Sequence, residues 1–189
     1  GAAVSPTLEQ HLQELPTRCY GTYGMTETVS HIALREINGE RKSSAYFALG
    51  KVSFSTDERG CLIINTPHLQ QQRFITNDIV RLVDTTHFEW LGRHDNVINS
   101  GGVKLFPESI EARIASFLSQ RFFITAEDDC RLGQKAVLVI ESLPWDEAEC
   151  QQLLSRLKSC LSPYEVPKNI YFQEHLTETY SGKIVRKIK

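Results

Sequence analysis

The chain has 189 residues, with 21 Lys and Arg against 23 Asp and Glu and a formal net charge of -2. Hydrophobic residues make up 41% and charged residues 23%, the composition of a folded globular protein, which excludes a disordered, collagen-like or coiled-coil chain. No apolar run approaches the roughly 18 residues that cross a bilayer, and a near-neutral balance leaves no electrostatic footprint for nucleic acid.

A helix over Thr7–Leu15 is expected first, from Leu8, Leu12 and Leu15 at helical spacing behind the start signal Pro6. The Gly- and Thr-rich stretch RCYGTYGMTETVSHIAL follows and reads as a turn-rich loop between β-branched runs. Val52-Ser-Phe-Ser alternates, TDERG turns and Cys61-Leu-Ile-Ile returns, which makes a hairpin. Ile79-Val-Arg-Leu-Val, the turn Asp84-Thr-Thr and His87-Phe-Glu-Trp-Leu make a second. Short paired strands at this density predict a small barrel or a curled sheet.

Beyond Arg93 helix and strand alternate. Pro107 opens PESIEARIASFL as a first helical residue, with Glu108 and Glu111 placed to favour the helix start. Ile110, Ile114 and Phe117 share one face. Lys135-Ala-Val-Leu-Val-Ile is a buried type of strand, Asp146–Leu161 has helical period, and Asn169-Ile-Tyr-Phe-Gln reads as a last strand. The charge divides at the same place: residues 1–92 hold 8 basic and 10 acidic side chains, residues 93–189 hold 13 of each. The expectation is an α+β protein of two domains, a strand-rich, barrel-like 1–92 and a compact α+β 93–189.

Cys19, Cys61, Cys130, Cys150 and Cys160 are odd in number and without CxxC spacing, and the six histidines form no HxH or HxxxH pair. Reduced cysteines packed as small hydrophobes are expected, with no zinc site. The opening GAAVSPTLEQ lacks the basic start and apolar core of a secretory signal, so a cytoplasmic protein is expected.

Four short segments could carry chemistry. In Tyr20-Gly21-Thr22-Tyr23-Gly24-Met25-Thr26-Glu27 two glycines let the backbone approach a ligand, hydroxyls suit phosphate oxygens, and a carboxylate suits Mg²⁺. Thr76-Asn77-Asp78 places an acid where it could accept both hydrogens of a ribose diol, although Asn-Asp also serves plain turns. Gly92-Arg93-His94-Asp95 adds an Arg for sugar or phosphate oxygens at the composition boundary, where a hinge would sit. Ser100-Gly101-Gly102 permits close approach by a thin ligand, and Ser181-Gly182-Lys183 could deliver a point charge into a site. Four basic residues in the last seven also read as a solvated tail.

Taken in order, YGMTE, TND, GRHDNVI, SGG, PESIE and the C-terminal GK resemble the adenylate-forming superfamily of acyl- and aryl-CoA ligases, peptide-synthetase adenylation domains and luciferases. The resemblance covers the whole chain. It implies ATP, Mg²⁺ and coenzyme A as the molecules used, with a small carboxylic acid as substrate. By similarity Tyr23, with Gly24 beside it, faces the adenine, Thr26 the α-phosphate and Glu27 the Mg²⁺. Asp78 and Arg93 match the residues that hold the ribose. Asp95 matches the hinge between a large N-terminal domain, of which 1–92 would be the end, and a small mobile domain, 93–189. Gly102 matches the loop lining the pantetheine tunnel, and Lys183 the Lys that bridges acyl carboxylate and phosphate.

GAAVSPTL resembles the Gly-Gly-Ala-x-x-Ser-x-x-Leu segment beside the acyl pocket, which brings in Gly1 and Ala2. The family's Ser/Thr/Gly-rich phosphate loop should precede that segment. The resemblance therefore implies the C-terminal part of a longer ligase, inactive by itself without its N-terminal half. Two departures stand out: Asn77 replaces the Gly of Thr-Gly-Asp, and Ile98-Asn99-Ser100 lacks the family's Lys. YGMTETVSHIALR with INSGGVKLFPESIE looks most like the o-succinylbenzoate–CoA ligases of menaquinone biosynthesis, which also lack that Lys. Ser30, His31 and Arg35 would then reach an acidic aromatic substrate. Two readings compete from other classes: a nucleotide- or CoA-binding module without catalysis, and a nucleic-acid binder on the 183–189 tail. The second lacks aromatics interleaved with its basic run. An apolar seam facing the missing half could drive homo-oligomerisation.

Overall fold

The structure, a computed structural model, describes residue 4, residues 6–180 and residues 182–188. It divides into two compact units, Gly1–Asp95 and Asn96–Lys189.

The first unit begins with α1 (Pro6–Gln13), followed by β1 (Tyr20–Gly24), β2 (His31–Glu36), β3 (Ala45–Ala48), β4 (Ser53–Thr56), β5 (Cys61–Asn65), β6 (Arg73–Leu82) and β7 (His87–Arg93). α1 stops two residues short of Leu15, and Leu8 and Leu15 stay half exposed. Buried Asn38 ties the connection to β1: its Nδ2 reaches the carbonyls of Leu12 and Thr17 at 2.8 and 2.9 Å, and its Oδ1 accepts Cys19 N–H at 2.7 Å. The strands form one seven-stranded sheet in the order β1-β2-β3-β7-β6-β5-β4. Both predicted hairpins are present, as β4–β5 and β6–β7. A closed barrel is not. Closure requires the terminal strands to pair with a consistent stagger, and the short β1 and β4 lie at opposite ends of the order.

One face of this sheet is packed by Ile32, Val52, Phe54, Leu62, Ile64, Phe74, Val80 and Phe88. Phe88 is fully buried and meets Phe54 edge-on at 4.8 Å, Tyr23 edge-on at 5.1 Å and Tyr46 stacked at 5.4 Å. Such ring pairs contribute about 0.5–1.5 kcal/mol each beyond the area they bury. They also fix the Tyr23 ring.

The second unit comprises β8 (Ile98–Ser100), β9 (Val103–Leu105), α2 (Pro107–Ile114), β10 (Phe122–Asp129), β11 (Gly133–Glu141), α3 (Glu147–Leu157) and β12 (Ile170–Gln173). β11 is central, antiparallel to β10 and parallel to β12. Its run from Ala136 to Ile140 is wholly buried because both faces are covered. Ile110, Ile114, Leu153 and Leu157 from the helices cover one face, and Leu176, Ile184 and Ile188 from the C-terminal segment pack with Phe123 and Val139 on the other. Asp146 caps α3 in a reciprocal box with Glu149. α3 ends at Leu157, earlier than its period suggests. Its last turn tightens through Ser159 N–H to Arg156 O and Cys160 N–H to Leu157 O, both 3.1 Å, ahead of Pro163.

Candidate functional site

The Tyr23–Glu27 loop opens where β1 leaves the sheet. β1 pairs with β2 up to a register break between Tyr23 and Gly24. A Cβ on Gly24 would stand 2.5 Å from Ser30 O and 2.7 Å from His31 Cα, so only glycine fits this crossing. Beyond it Thr26–Thr28 make one 3₁₀ turn. The buried Thr28 hydroxyl accepts Met25 N–H at 3.1 Å and lies 3.0 and 2.9 Å from the carbonyls of Met25 and Ser30. This knot holds Val29 at φ 66, a strained value for a β-branched residue. Thr26 and Glu27 are exposed at its tip. Ser30 Oγ lies 3.1 Å from His31 Nδ1 beside them.

Thr76-Asn77-Asp78 is no turn ahead of a strand. It lies in mid-β6, at a fault in the ladder: β6 advances from Ile75 to Ile79 while β5 advances only from Ile63 to Cys61. The Thr76 hydroxyl fills the gap, donating to Leu62 O and accepting Asp78 N–H, both at 3.0 Å. The carboxylate of Asp78 then accepts Tyr23 O–H at 2.5 Å on Oδ2 and Arg93 Nη1 at 3.3 Å on Oδ1. Arg93 faces Asp78 across the β6–β7 register and also reaches Asp95 Oδ2 at 3.2 Å. Burial first, then the charge of Asp78, pushes the Tyr23 phenol far above the usual tyrosine range, so it stays a donor. A carboxylate offers about four acceptor positions. Tyr23 and Arg93 take one each, which leaves capacity for a pair of vicinal hydroxyls.

Asn77, one of the two departures, lies between Arg59 Nη1 at 3.4 Å and Asp95 Oδ2 at 3.5 Å, the long end of the hydrogen-bond range. Arg35 does not stand free beside Ser30 and His31: it is paired with Glu9 of α1, and its guanidinium lies 5.7 Å from the Tyr46 ring centroid. Gly1 and Ala2 lie outside the described residues.

In the second unit Gly101 and Gly102, at φ 58 and 81, form the two-residue turn between β8 and β9. A Cβ on Gly101 would press Leu132 Cδ2 at 3.1 Å, whereas Gly102 faces open space. Lys183 is exposed and follows Gly182 at φ 75. Thr179 N–H donates to Lys183 O at 2.8 Å, and Lys183 N–H to Thr179 Oγ1 at 3.1 Å. Arg186 is not part of a solvated tail. It is half-buried against Glu111, which therefore serves this pair rather than the helix start. Nothing in the spacing of a terminal basic run announces such a partner 75 residues away.

No family model matches the chain. A 2-succinylbenzoate–CoA ligase of Lactococcus lactis is 28% identical over 205 residues, covering 99% of this chain and 44% of that protein. An AMP-forming acyl-CoA synthetase/AMP-acid ligase II-like protein of Dyadobacter fermentans is 42% identical, with a TM-score of 0.52, covering 98% of this chain and 54% of that one. The o-succinylbenzoate CoA synthetase of Bacillus subtilis, solved with its acyl-adenylate, shares the fold at a TM-score of 0.73 and 20% identity, covering 98% and 44%. The chain thus spans about half the length, or less, of the relatives it matches along its whole extent. The motif order from Tyr23 to Lys183 and these matches agree: the chain belongs to the adenylate-forming acyl-CoA ligase superfamily.

Proposed function

We propose that this chain is the C-terminal part of an AMP-forming carboxylate–CoA ligase whose acid is o-succinylbenzoate, as in menaquinone biosynthesis. The observation that carries the reading is Asp78, held between Tyr23 and Arg93 with acceptor capacity to spare. That arrangement suits the ribose diol of ATP. In this reading Tyr23 and Gly24 border the adenine, Thr26 the α-phosphate, and Gly102 the pantetheine arm of coenzyme A. Residues 1–92 close the large domain and 93–189 form the mobile one, turning at Asp95.

A carboxylate oxygen of the acid attacks the α-phosphorus of ATP, and the bond to pyrophosphate breaks. The thiol sulfur of coenzyme A then attacks the acyl carbon and gives up its proton as AMP leaves. Two anions meet in the first step, and Lys183 offsets their repulsion by bridging acyl carboxylate and phosphate. Glu27 is exposed and single. Among the described residues no three His, Cys, Asp or Glu side chains converge on one point. One exposed carboxylate fits Mg²⁺, an ion commonly held through only one or two carboxylates, and Glu27 would be the residue that holds it. Bound there, the ion supplies neutralisation of phosphate charge. In this reading Ser30 and His31, next to the loop, take the second carboxylate of the acid.

The test is acid-dependent ATP–pyrophosphate exchange, on this chain alone and on the chain extended upstream to the length of its relatives. Exchange in the extended protein with o-succinylbenzoate, absent in Lys183→Ala and in the chain alone, is the expected result. Exchange only with benzoate or fatty acids removes the menaquinone assignment. Nucleotide binding without exchange for any acid leaves a binding module instead.

A further inference from the structure

Within the C-terminal basic run, Lys183 and Lys187 are exposed but only 21% of the Arg186 side chain is accessible. Arg186 Nη2 donates to Glu111 Oε2 at 2.8 Å, and Nη1 donates to Glu111 Oε1 and, at 2.9 Å, to Ile124 O. Glu111 Oε1 in turn accepts Ile124 N–H at 2.6 Å. Ile124 belongs to β10, a terminal strand in its sheet. The Arg–Glu pair therefore satisfies both backbone groups that this residue turns away from β11. Glu108 backs the pair. Its Oε1 lies 3.7 Å from Arg186 Nη2 and takes Asn96 Nδ2 at 2.5 Å, while its Oε2 is buried without a hydrogen-bond partner among the described residues. Asn96 is the first residue of the second unit.

Arg186 is three residues from Lys183. Between them Val185 N–H donates to Thr177 O at 2.8 Å, and Glu178 and Ile184 form an antiparallel bridge that closes the turn. An extended segment of three residues spans only about 10 Å, so a clamp on Arg186 limits where the Lys183 backbone can go.

We infer that Arg186 is a positioning residue for Lys183: its clamp on Glu111, Ile124 and Glu108 fixes the turn that presents the lysine. A planar fork is needed for this, since a lysine ammonium cannot address Glu111 with two parallel bonds. The inference rests on the ligase reading for what Lys183 does, but not for how the turn is held. Because Lys183 serves the adenylation step, loosening its turn slows that step and leaves the attack of coenzyme A largely unaffected.

The experiment has two arms, using Arg186→Lys and Glu111→Gln. In the 189-residue chain, hydrogen exchange at the Thr179 and Val185 amides is expected to quicken about tenfold or more, with β11 still protected. In the upstream-extended protein, kcat for ATP–pyrophosphate exchange is expected to fall about 100-fold, as for a catalytic group misplaced by an ångström. The KM for ATP and the rate of thioester formation from supplied acyl-adenylate should stay near wild type. Unchanged exchange at Thr179 and Val185, or equal loss in both half-reactions, overturns the inference. Silence of the wild-type extended protein with every acid removes the ligase reading alone, and the hydrogen-exchange arm still decides the clamp. Arg186→Lys keeps the buried charge and carries the test if Glu111→Gln fails to fold.

Discussion

Replacing Tyr23 by Phe removes one oxygen from the candidate ribose site and nothing else. The ring keeps its edge contacts with Phe88 at 5.1 Å and Tyr46 at 5.8 Å. The change therefore isolates the 2.5 Å bond to Asp78 Oδ2. A hydrogen bond to a charged acceptor contributes about 1.5–3 kcal/mol. The Asp78 side chain is 13% accessible and keeps Arg93 on its other oxygen, so water recovers part of the loss and the expected cost is about 1–2 kcal/mol. The phenol's pKa is raised, chiefly by burial and then by Asp78. A raised tyrosine contributes its stability below the unfolded value, near pH 10, and loses it as pH rises toward the folded value. The cost of the variant should thus be constant from about pH 6 to 9 and shrink only in stronger alkali. Each unit contains one of the two tryptophans. Urea unfolding followed by Trp90 fluorescence in a Trp145→Phe background reports the first unit. A double-mutant cycle with Asp78→Asn should give a coupling of about 1–2 kcal/mol, and the surface change Tyr20→Phe a loss within about 0.5 kcal/mol. Additive effects of Tyr23→Phe and Asp78→Asn would refute the bond as the source.

Gly24→Ala drives a Cβ into backbone at Ser30 and His31, so neither neighbour can yield by rotating a side chain. The expected cost is about 1–3 kcal/mol, with amide shifts across residues 25–31, and an unperturbed spectrum sinks the argument. At the β6–β7 turn, Asp84 is pulled down from 3.8 to about 2 by the Thr86 hydroxyl, the Thr86 amide and His87. A depressed carboxylate contributes stability above its unfolded value and loses it as pH falls through the folded one. The Thr86 amide signal should follow Asp84 with a midpoint near pH 2, and a midpoint near 3.8 would remove the bond from the account.

The hairpins were legible because their signals are local: Val52-Ser-Phe-Ser alternates, and TDERG and Asp84-Thr-Thr supply the turns. β10 was not, since Thr125-Ala-Glu-Asp-Asp carries neither apolar alternation nor β-branched density beyond its first residue. It is a strand because it pairs along its full length with the buried β11, a tertiary cause that overrides propensity. The same holds for β1 and β2, where the glycines that mark the candidate loop hide the strand that ends at it. Strand density predicts a small barrel or a curled sheet alike, because density fixes how many strands pair but not which two lie at the ends. Motif order singles out Tyr23, Asp78 and Arg93, whereas their mutual contacts are a matter of geometry alone. The basic run that contains Arg186 also reads as a solvated tail, because the partner of Arg186, Glu111, sits on a different element.

The candidate residues of the first unit share a structural setting that explains both outcomes. Gly24 stands at a register break between β1 and β2, Asp78 at the fault between β5 and β6, and Arg93 next to the bulge at Ile79 and Val80. A regular ladder alternates its side chains strictly between two faces, so it can hold a core on one of them but redirects no side chain from its place in the pleat. A fault frees a backbone group and redirects a side chain, at a local cost that neighbours must meet. Here they meet it with hydroxyls: Thr28 closes the loop around strained Val29, and Thr76 bridges the gap that sets Asp78 in place. Faults call for Gly, Asn, Asp and Thr, the residues that read as turns in a sequence. That is why the candidate segments stand out by eye while their strands do not, and why their geometry depends on two buried threonines, Thr28 and Thr76, whose hydrogen bonds no motif announces.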